Sequence, residues 1–123
     1  MYDPSLLIER LESVLEALER IPVRFAPIGT PADFTRNEEG REKLDAICMM
    51  LLAAGEEFKQ IDRKTGGKLL ERYPEVDWRG VKSVRDVIAH GYFTIDVEEV
   101  FGICQTDIPA LIKTVRKMIE DLR

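Results

Sequence analysis

The sequence predicts an all-α protein, an up-and-down bundle of four main helices. Three observations carry that expectation. Apolar residues recur at steps of three and four in each long segment; proline and glycine fall between those segments; and no stretch alternates apolar and polar residues as a half-buried strand would. The 123 residues suit one domain spanning 1–123. A domain of that size buries enough surface to need neither a disulfide nor a metal as a staple.

The first helix has Asp3 as its N-cap and Pro4 at its first position. Leu7, Leu11, Val14, Leu15 and Leu18 form one apolar stripe, and Glu9, Glu12, Glu16 and Glu19 mostly face away from it. Pro22 is expected to end or kink this helix. Pro27, Gly29 and Pro31 mark a connection. The second helix runs from about Thr35 or Asn37 to about Arg63, with Leu44, Ile47, Leu51, Phe58 and Ile61 as its stripe. From Ala46 to Gly55 it is apolar on every side, which in a small chain predicts contact with a second copy as well as with its own neighbours.

Thr65-Gly66-Gly67 ends the second helix, and Lys68 to Arg72 suits a short helical turn. The string from Lys64 to Lys68 lacks the spacing, and the preceding strand, of a phosphate-binding loop; it reads as a helix end and linker. Asp77 caps a third helix from Trp78 to about His90, and Gly91 is expected to stop it in the left-handed conformation. Asp96 caps the fourth, whose stripe from Val97 to Leu122 is expected to bend or split near Pro109.

Net charge is −5, so the molecule as a whole is not a general polyanion binder. Residues 63–85 nevertheless carry +4, which leaves −9 on the rest. Such a segment suits one anionic ligand in one place, and equally suits a solvated face. Within it, Arg79 and Lys82 are candidates for holding that anion. Cys48 and Cys104 sit in apolar helical patterns, as buried free thiols do in a reducing compartment. One histidine and two distant cysteines give no metal-ligand spacing, so neither metal nor cofactor is expected. The acidic N-terminus lacks the basic start of a signal peptide, and the longest apolar run is too short to cross a bilayer. A cytoplasmic protein with no membrane association is the expectation.

Chemistry concentrates in Val84-Arg85-Asp86-Val87-Ile88-Ala89-His90-Gly91-Tyr92, which holds the single histidine. A lone histidine is by default structural. Here Asp86 and His90 are four residues apart, hence on one helical face, and His90 stands at a helix C-terminus. Both circumstances favour the imidazolium and suit acid–base work near neutrality, and both also describe a capping histidine paired with a carboxylate. Arg85 borders the stripe of Val81, Val84 and Ile88. It can hold a phosphate in a fork, or simply lay its stem on apolar surface. Five residues put Arg85 and His90 about 140° apart on an ideal helix. They converge only if the helix loosens before Gly91, or if the cleft lies between two chains.

Arg85 to His90 matches the R-x4-6-H motif, and Tyr92 extends it to R-x4-H-x-Y. Tyr73-Pro74-Glu75-Val76-Asp77-Trp78-Arg79, His90-Gly91-Tyr92-Phe93-Thr94-Ile95-Asp96 and Asp107-Ile108-Pro109-Ala110-Leu111 extend the likeness on both sides. On these strings the chain resembles the HepT-like toxin branch of the HEPN family. Residues 70–122 carry the likeness; residues 1–65 match as helices of suitable length. The resemblance implies a metal-independent ribonuclease toxin with a catalytic set of Arg85, Asp86 and His90. His90 would take the proton of a ribose 2′-hydroxyl, and Arg85 would stabilise charge on the phosphate. The products would be a 2′,3′-cyclic phosphate and a 5′-hydroxyl. With one histidine per chain, the second acid–base group would come from His90 of a second copy in a homodimer. The branch commonly has Asn where this chain has Asp86, an added negative charge near the phosphate. The resemblance also implies an MNT-type nucleotidyltransferase antitoxin that attaches AMP to Tyr92, which otherwise reads as a loop tyrosine packed on the bundle. The alternative is a non-catalytic HEPN adaptor, or a nucleotide- or RNA-binding module, serving a nucleotidyltransferase. A plain helical scaffold would have Arg85 and His90 scattered.

Overall fold

A computed structural model describes residues 3–123. Helix α1 spans Pro4–Phe25, α2 spans Glu38–Lys64, α3 spans Trp78–Gly91, α4 spans Val97–Gly102 and α5 spans Ile108–Leu122. A π-helical turn, Ile103–Asp107, joins α4 to α5, so the two act as one long fourth rod. There is no strand among the described residues. The all-helical bundle expected from the periodicity is what forms.

The capping residues do what their chemistry allows. Asp3 accepts a hydrogen bond from the Ser5 amide, Asn37 from Gly40, Asp77 from Gly80 and Asp96 from Glu98. Each satisfies a backbone donor that a helix start leaves without a partner. At the other end of α2, Gly66 takes φ 60° and Gly67 φ 76°, a reversal that side chains with a Cβ resist.

Two expectations need correction. Pro22 does not end α1: the helix continues for one turn to Phe25, and the Pro22 carbonyl accepts from Ala26. Near a C-terminus little ladder remains for a missing N–H to disrupt. Gly91 does not stop α3 in the left-handed region; its φ is −151°, and a short 3-10 turn, Tyr92–Thr94, carries the chain onward. The irregularity expected near Pro109 takes the form of the π turn just before it, with Pro109 at the start of α5.

One buried cluster runs through the molecule. Leu11, Leu18 and Ile21 of α1, Ile47, Phe58 and Ile61 of α2, and Val115 and Met118 of α5 are fully enclosed. Helix α1 packs on both α2 and α5, and α2 also carries α3 on its far side. Phe25, Phe34 and Phe101 cluster where the α1–α2 connection meets α4, with Phe25 edge-on to Phe101. The result is a rigid platform with α3 laid across it. No helix of the described residues is long and apolar enough to cross a membrane.

Candidate active site

Helix α3 crosses α2 at Gly55. A Cβ placed there would lie 2.8 Å from the Arg85 Cβ and 3.2 Å from the Val81 carbonyl oxygen. Only the missing side chain lets the two helices approach this closely, and the approach brings Arg85 against the next residue of α2. Its Nε lies 3.0 Å from Glu56 Oε1, although the N–H is not aligned well enough to donate to that oxygen. Its Nη1 donates to Asp86 Oδ1 at 3.1 Å. Arg85 is therefore half-buried and held by charge between two carboxylates. Glu56 stays below the usual carboxylate range because the Gln60 side chain donates to it and Arg85, Lys59 and Arg63 attract its charge.

His90 is exposed at the C-terminal end of the same helix. Asp86 does not pair with it, contrary to the four-residue spacing: that carboxylate faces Arg85 and, at 3.9 Å, Lys59. The cause is competition, since two full cations at the crossing attract the carboxylate more strongly than one imidazole a turn away. Helix α3 stays α-helical from Arg85 through His90 and leaves helical φ only at Gly91, so the loosening before Gly91 that would turn Arg85 and His90 together within one chain does not occur. No contact joins the two side chains in the single copy among the described residues.

Tyr92 comes next, on the 3-10 turn. Its hydroxyl donates to Asp45 of α2. Burial first, and that bond second, push the hydroxyl well above its ordinary pKa. Phe93 beside it is fully exposed.

The two flanks of α3 differ in character. On one side, between α3 and the α4–α5 rod, lies an apolar groove of 670 Å³ lined by residues such as Val84, Ile88, Val100 and Leu111. Five carboxylates line it, on Glu75, Asp77, Asp96, Glu99 and Asp107, and no lysine or arginine. On the other side, between α2 and α3, lies a smaller pocket of 350 Å³. Lys59, Arg63, Arg79 and Lys82 line it with Asp62 and Asp86. Lys82 is tied to Asp62 at 2.7 Å, whereas Arg63 and Arg79 make no ion pair among the described residues. Neither hollow is lined by Arg85 or His90. Sequence reasoning named Arg79 and Lys82, counted Arg63 within the basic segment 63–85, and missed Lys59, Glu56 and Asp45, all on α2. Gly55 was the available signal, because a glycine inside an apolar helix often marks a close backbone approach.

Cys48 and Cys104 are buried and unpaired with each other, as expected. Burial pushes both thiols up to about 12, which keeps them protonated and unreactive. Among the described residues, no three His, Cys, Asp or Glu side chains gather as a metal site would require.

The model of the ribonuclease HepT-like family matches residues 8–118. The chain belongs to the HepT-like ribonuclease family. It is similar to a Thermococcus cleftensis protein that carries a provisional name as ribonuclease HepT: 38% identical over 101 residues, covering 82% of this chain and 84% of that one. A Methanocaldococcus jannaschii protein with a provisional ribonuclease name is 27% identical over 112 residues, 91% of this chain and 86% of its own length. Another from that organism, named as a γ-glutamylcyclotransferase joined to a provisional ribonuclease, is 25% identical over 112 residues, 47% of its length. No solved structure matches at the significance these relatives reach. The expected family is thus the family found, and this HepT-like chain is a ribonuclease.

Proposed function

We propose that this HepT-like protein is an endoribonuclease toxin that cuts RNA without a metal, through a site that two copies complete. The observation that carries the reading is the state of α3: Arg85 is fixed where α2 and α3 cross, and His90 stands free at the exposed end of the same regular helix. One copy offers the two groups about 140° apart. A two-fold partner offers the missing half, since what one copy presents the other receives. Exposed apolar residues near this face, Met49 of α2 and Val87 of α3, suit contact with a second copy.

His90 accepts the proton of the ribose 2′-hydroxyl, and the 2′-oxygen attacks the adjacent phosphorus. The P–O5′ bond breaks, and the leaving oxygen takes a proton from His90 of the second copy. Arg85 faces the charge that builds on the non-bridging oxygens. The acidic rim of the apolar groove repels a polyanion, so RNA lies on the basic flank with Arg79 and Lys82. Tyr92 is the acceptor for AMP from a nucleotidyltransferase antitoxin, in the cytoplasm. A nucleotidyl group on its oxygen ends the bond to Asp45 and puts a phosphate and a base where the substrate enters. The two carboxylates already on Arg85 compete with the RNA phosphate for it, which sets how fast the cleavage runs.

Mixing with the unaltered chain tests this reading. His90→Ala and Arg85→Ala proteins should each lose RNA cleavage in EDTA while keeping their helical circular dichroism. In dimers reassembled from unaltered and His90→Ala chains, formation of 2′,3′-cyclic phosphate ends should fall as the square of the unaltered fraction, because each mixed pair keeps one of the two histidines. A fall in simple proportion to the unaltered fraction refutes a site shared between copies. Cleavage by His90→Ala equal to the unaltered protein refutes the nuclease assignment of that residue.

A further inference from the structure

We infer that RNA is held along α3 between a phosphate pocket at Arg63 and Arg79 on its basic flank and a base-stacking platform at Phe93. This rests on Arg85 and His90 being the cleavage site. Two observations lie on either side of that site. The Phe93 ring is 102% exposed, more than any other large apolar side chain described, and it stands three residues beyond His90. Its only aromatic neighbour among the described residues is Tyr92, at 6.3 Å between ring centroids and tilted by 59°, so its faces are open. On the other side, Arg63 and Arg79 have no ionic partner among the described residues and share a pocket with Lys59 and Lys82.

The two features are complementary in chemistry. Open guanidinium groups attract phosphates and read no sequence. An open aromatic face stacks on any base that is not already stacked in a helix. A duplex has no base free to lie on Phe93, because its bases are stacked and its edges point inward. From Arg79 to His90 the helix rises about 16 Å, the reach of a short oligonucleotide. A strand anchored by phosphates at the α2–α3 pocket passes Arg85 and His90 and offers a flanking base to Phe93. The arrangement predicts tolerance of base identity and discrimination by strandedness.

The test uses full-length His90→Ala protein, which leaves the probe uncut, and a fluorescein-labelled oligouridylate followed by anisotropy. Phe93→Ala in that background should weaken single-strand binding on the order of tenfold, and Phe93→Trp should restore it. Arg63→Glu with Arg79→Glu should weaken binding and flatten its dependence on salt. The same strand annealed to its complement should bind weakly and ignore Phe93→Ala. In the cleaving protein, Phe93→Ala should raise KM more than it lowers kcat. Unchanged single-strand binding by Phe93→Ala overturns the inference. So does a change in oligomeric state by sedimentation equilibrium, which would make Phe93 an interface residue. Cleavage that survives His90→Ala would instead sink the catalytic reading while the binding result stood.

Discussion

The crossing of α2 and α3 can be tested by adding one methyl group. In Gly55→Ala the new Cβ would stand 2.8 Å from the Arg85 Cβ. Carbon atoms in contact sit at about 3.5–4.0 Å, so the helices must part by roughly 1 Å. Overpacking of this kind costs about 1–3 kcal/mol. Against it, alanine in a helix interior is better than glycine by about 1 kcal/mol. The expected net loss is about 1 kcal/mol, and Gly55→Val should lose about 3 kcal/mol because it adds bulk without that gain. Gly102 is the control: it is helical, with nothing within 4 Å of where its Cβ would be. Gly102→Ala should therefore gain about 0.5–1 kcal/mol. Urea unfolding followed by Trp78 fluorescence measures both. That residue opens α3 and packs on Phe58 of α2 at 5.1 Å between centroids, so its emission reports the crossing itself. The same displacement moves Arg85, which on the proposed mechanism misplaces a catalytic group, and about 1 Å of misplacement can cost roughly a hundredfold in rate. Equal stability changes of one sign for Gly55→Ala and Gly102→Ala would refute the argument that side-chain absence at Gly55 sets the site.

Asp86→Asn should raise apparent RNA affinity by a factor on the order of three at low salt, because it removes a carboxylate that competes with phosphate for Arg85 and Lys59; the gain should shrink as salt rises. Asp33 accepts from the Gly29 and Thr30 amides, which hold its pKa below the usual value. Its folded pKa is the lower one, so its contribution is full above the ordinary carboxylate range and fades as pH falls; Asp33→Asn should flatten the acid side of a stability–pH curve. Tyr73 is pushed up to about 12 by burial and by the 2.7 Å bond it donates to Asp121. Its folded pKa is the higher one, so its contribution is present below about 10 and fades from there to about 12. Tyr73→Phe should cost about 1 kcal/mol at neutral pH, measured by urea unfolding, and abolish that alkaline decline.

Much of the fold was legible in the sequence because helix boundaries here are local chemistry. Asp3, Asn37, Asp77 and Asp96 cap from within one or two turns, and Gly66-Gly67 reverses the chain without help from elsewhere. Proline effects were less legible, because they depend on the helix around each ring rather than on the ring alone. Pro22 lies close enough to a helix end to be tolerated, and the break before Pro109 takes the form of a π turn that no single residue announces. Arg85, Asp86, His90 and Tyr92 stood out as a motif, but their partners did not. Glu56 and Lys59 reach Arg85 and Asp86 from α2, and Asp45 reaches Tyr92 across 47 positions. Those contacts arise from the angle at which two helices cross, and that angle is set by packing over the whole core. The pairing of Asp86 with His90 failed for the same reason: helical spacing measured the distance along α3 and could not see Lys59 brought up from α2.

An acidic protein that works on RNA needs its charge distributed, and α3 is the partition. Screening confines the influence of each charge to about 8 Å at physiological salt. The net charge of −5 therefore matters little at contact, while the cations gathered between α2 and α3 matter a good deal. The carboxylates around the apolar groove stand on the opposite flank of the same helix and make that side unfavourable for a phosphate chain. On the proposed reading, a strand arriving near α3 is turned toward the flank where Arg79 and Lys82 lie. If that is the purpose of the asymmetry, reversing charge on the groove, as in Glu99→Lys with Asp107→Lys, should leave the fold intact and loosen the preference for the basic flank. Binding should tighten overall, while Arg63→Glu with Arg79→Glu should weaken it less than in the unaltered protein. An unchanged penalty for those arginines would mean that the basic flank acts alone and that the acidic rim has no part in orienting RNA.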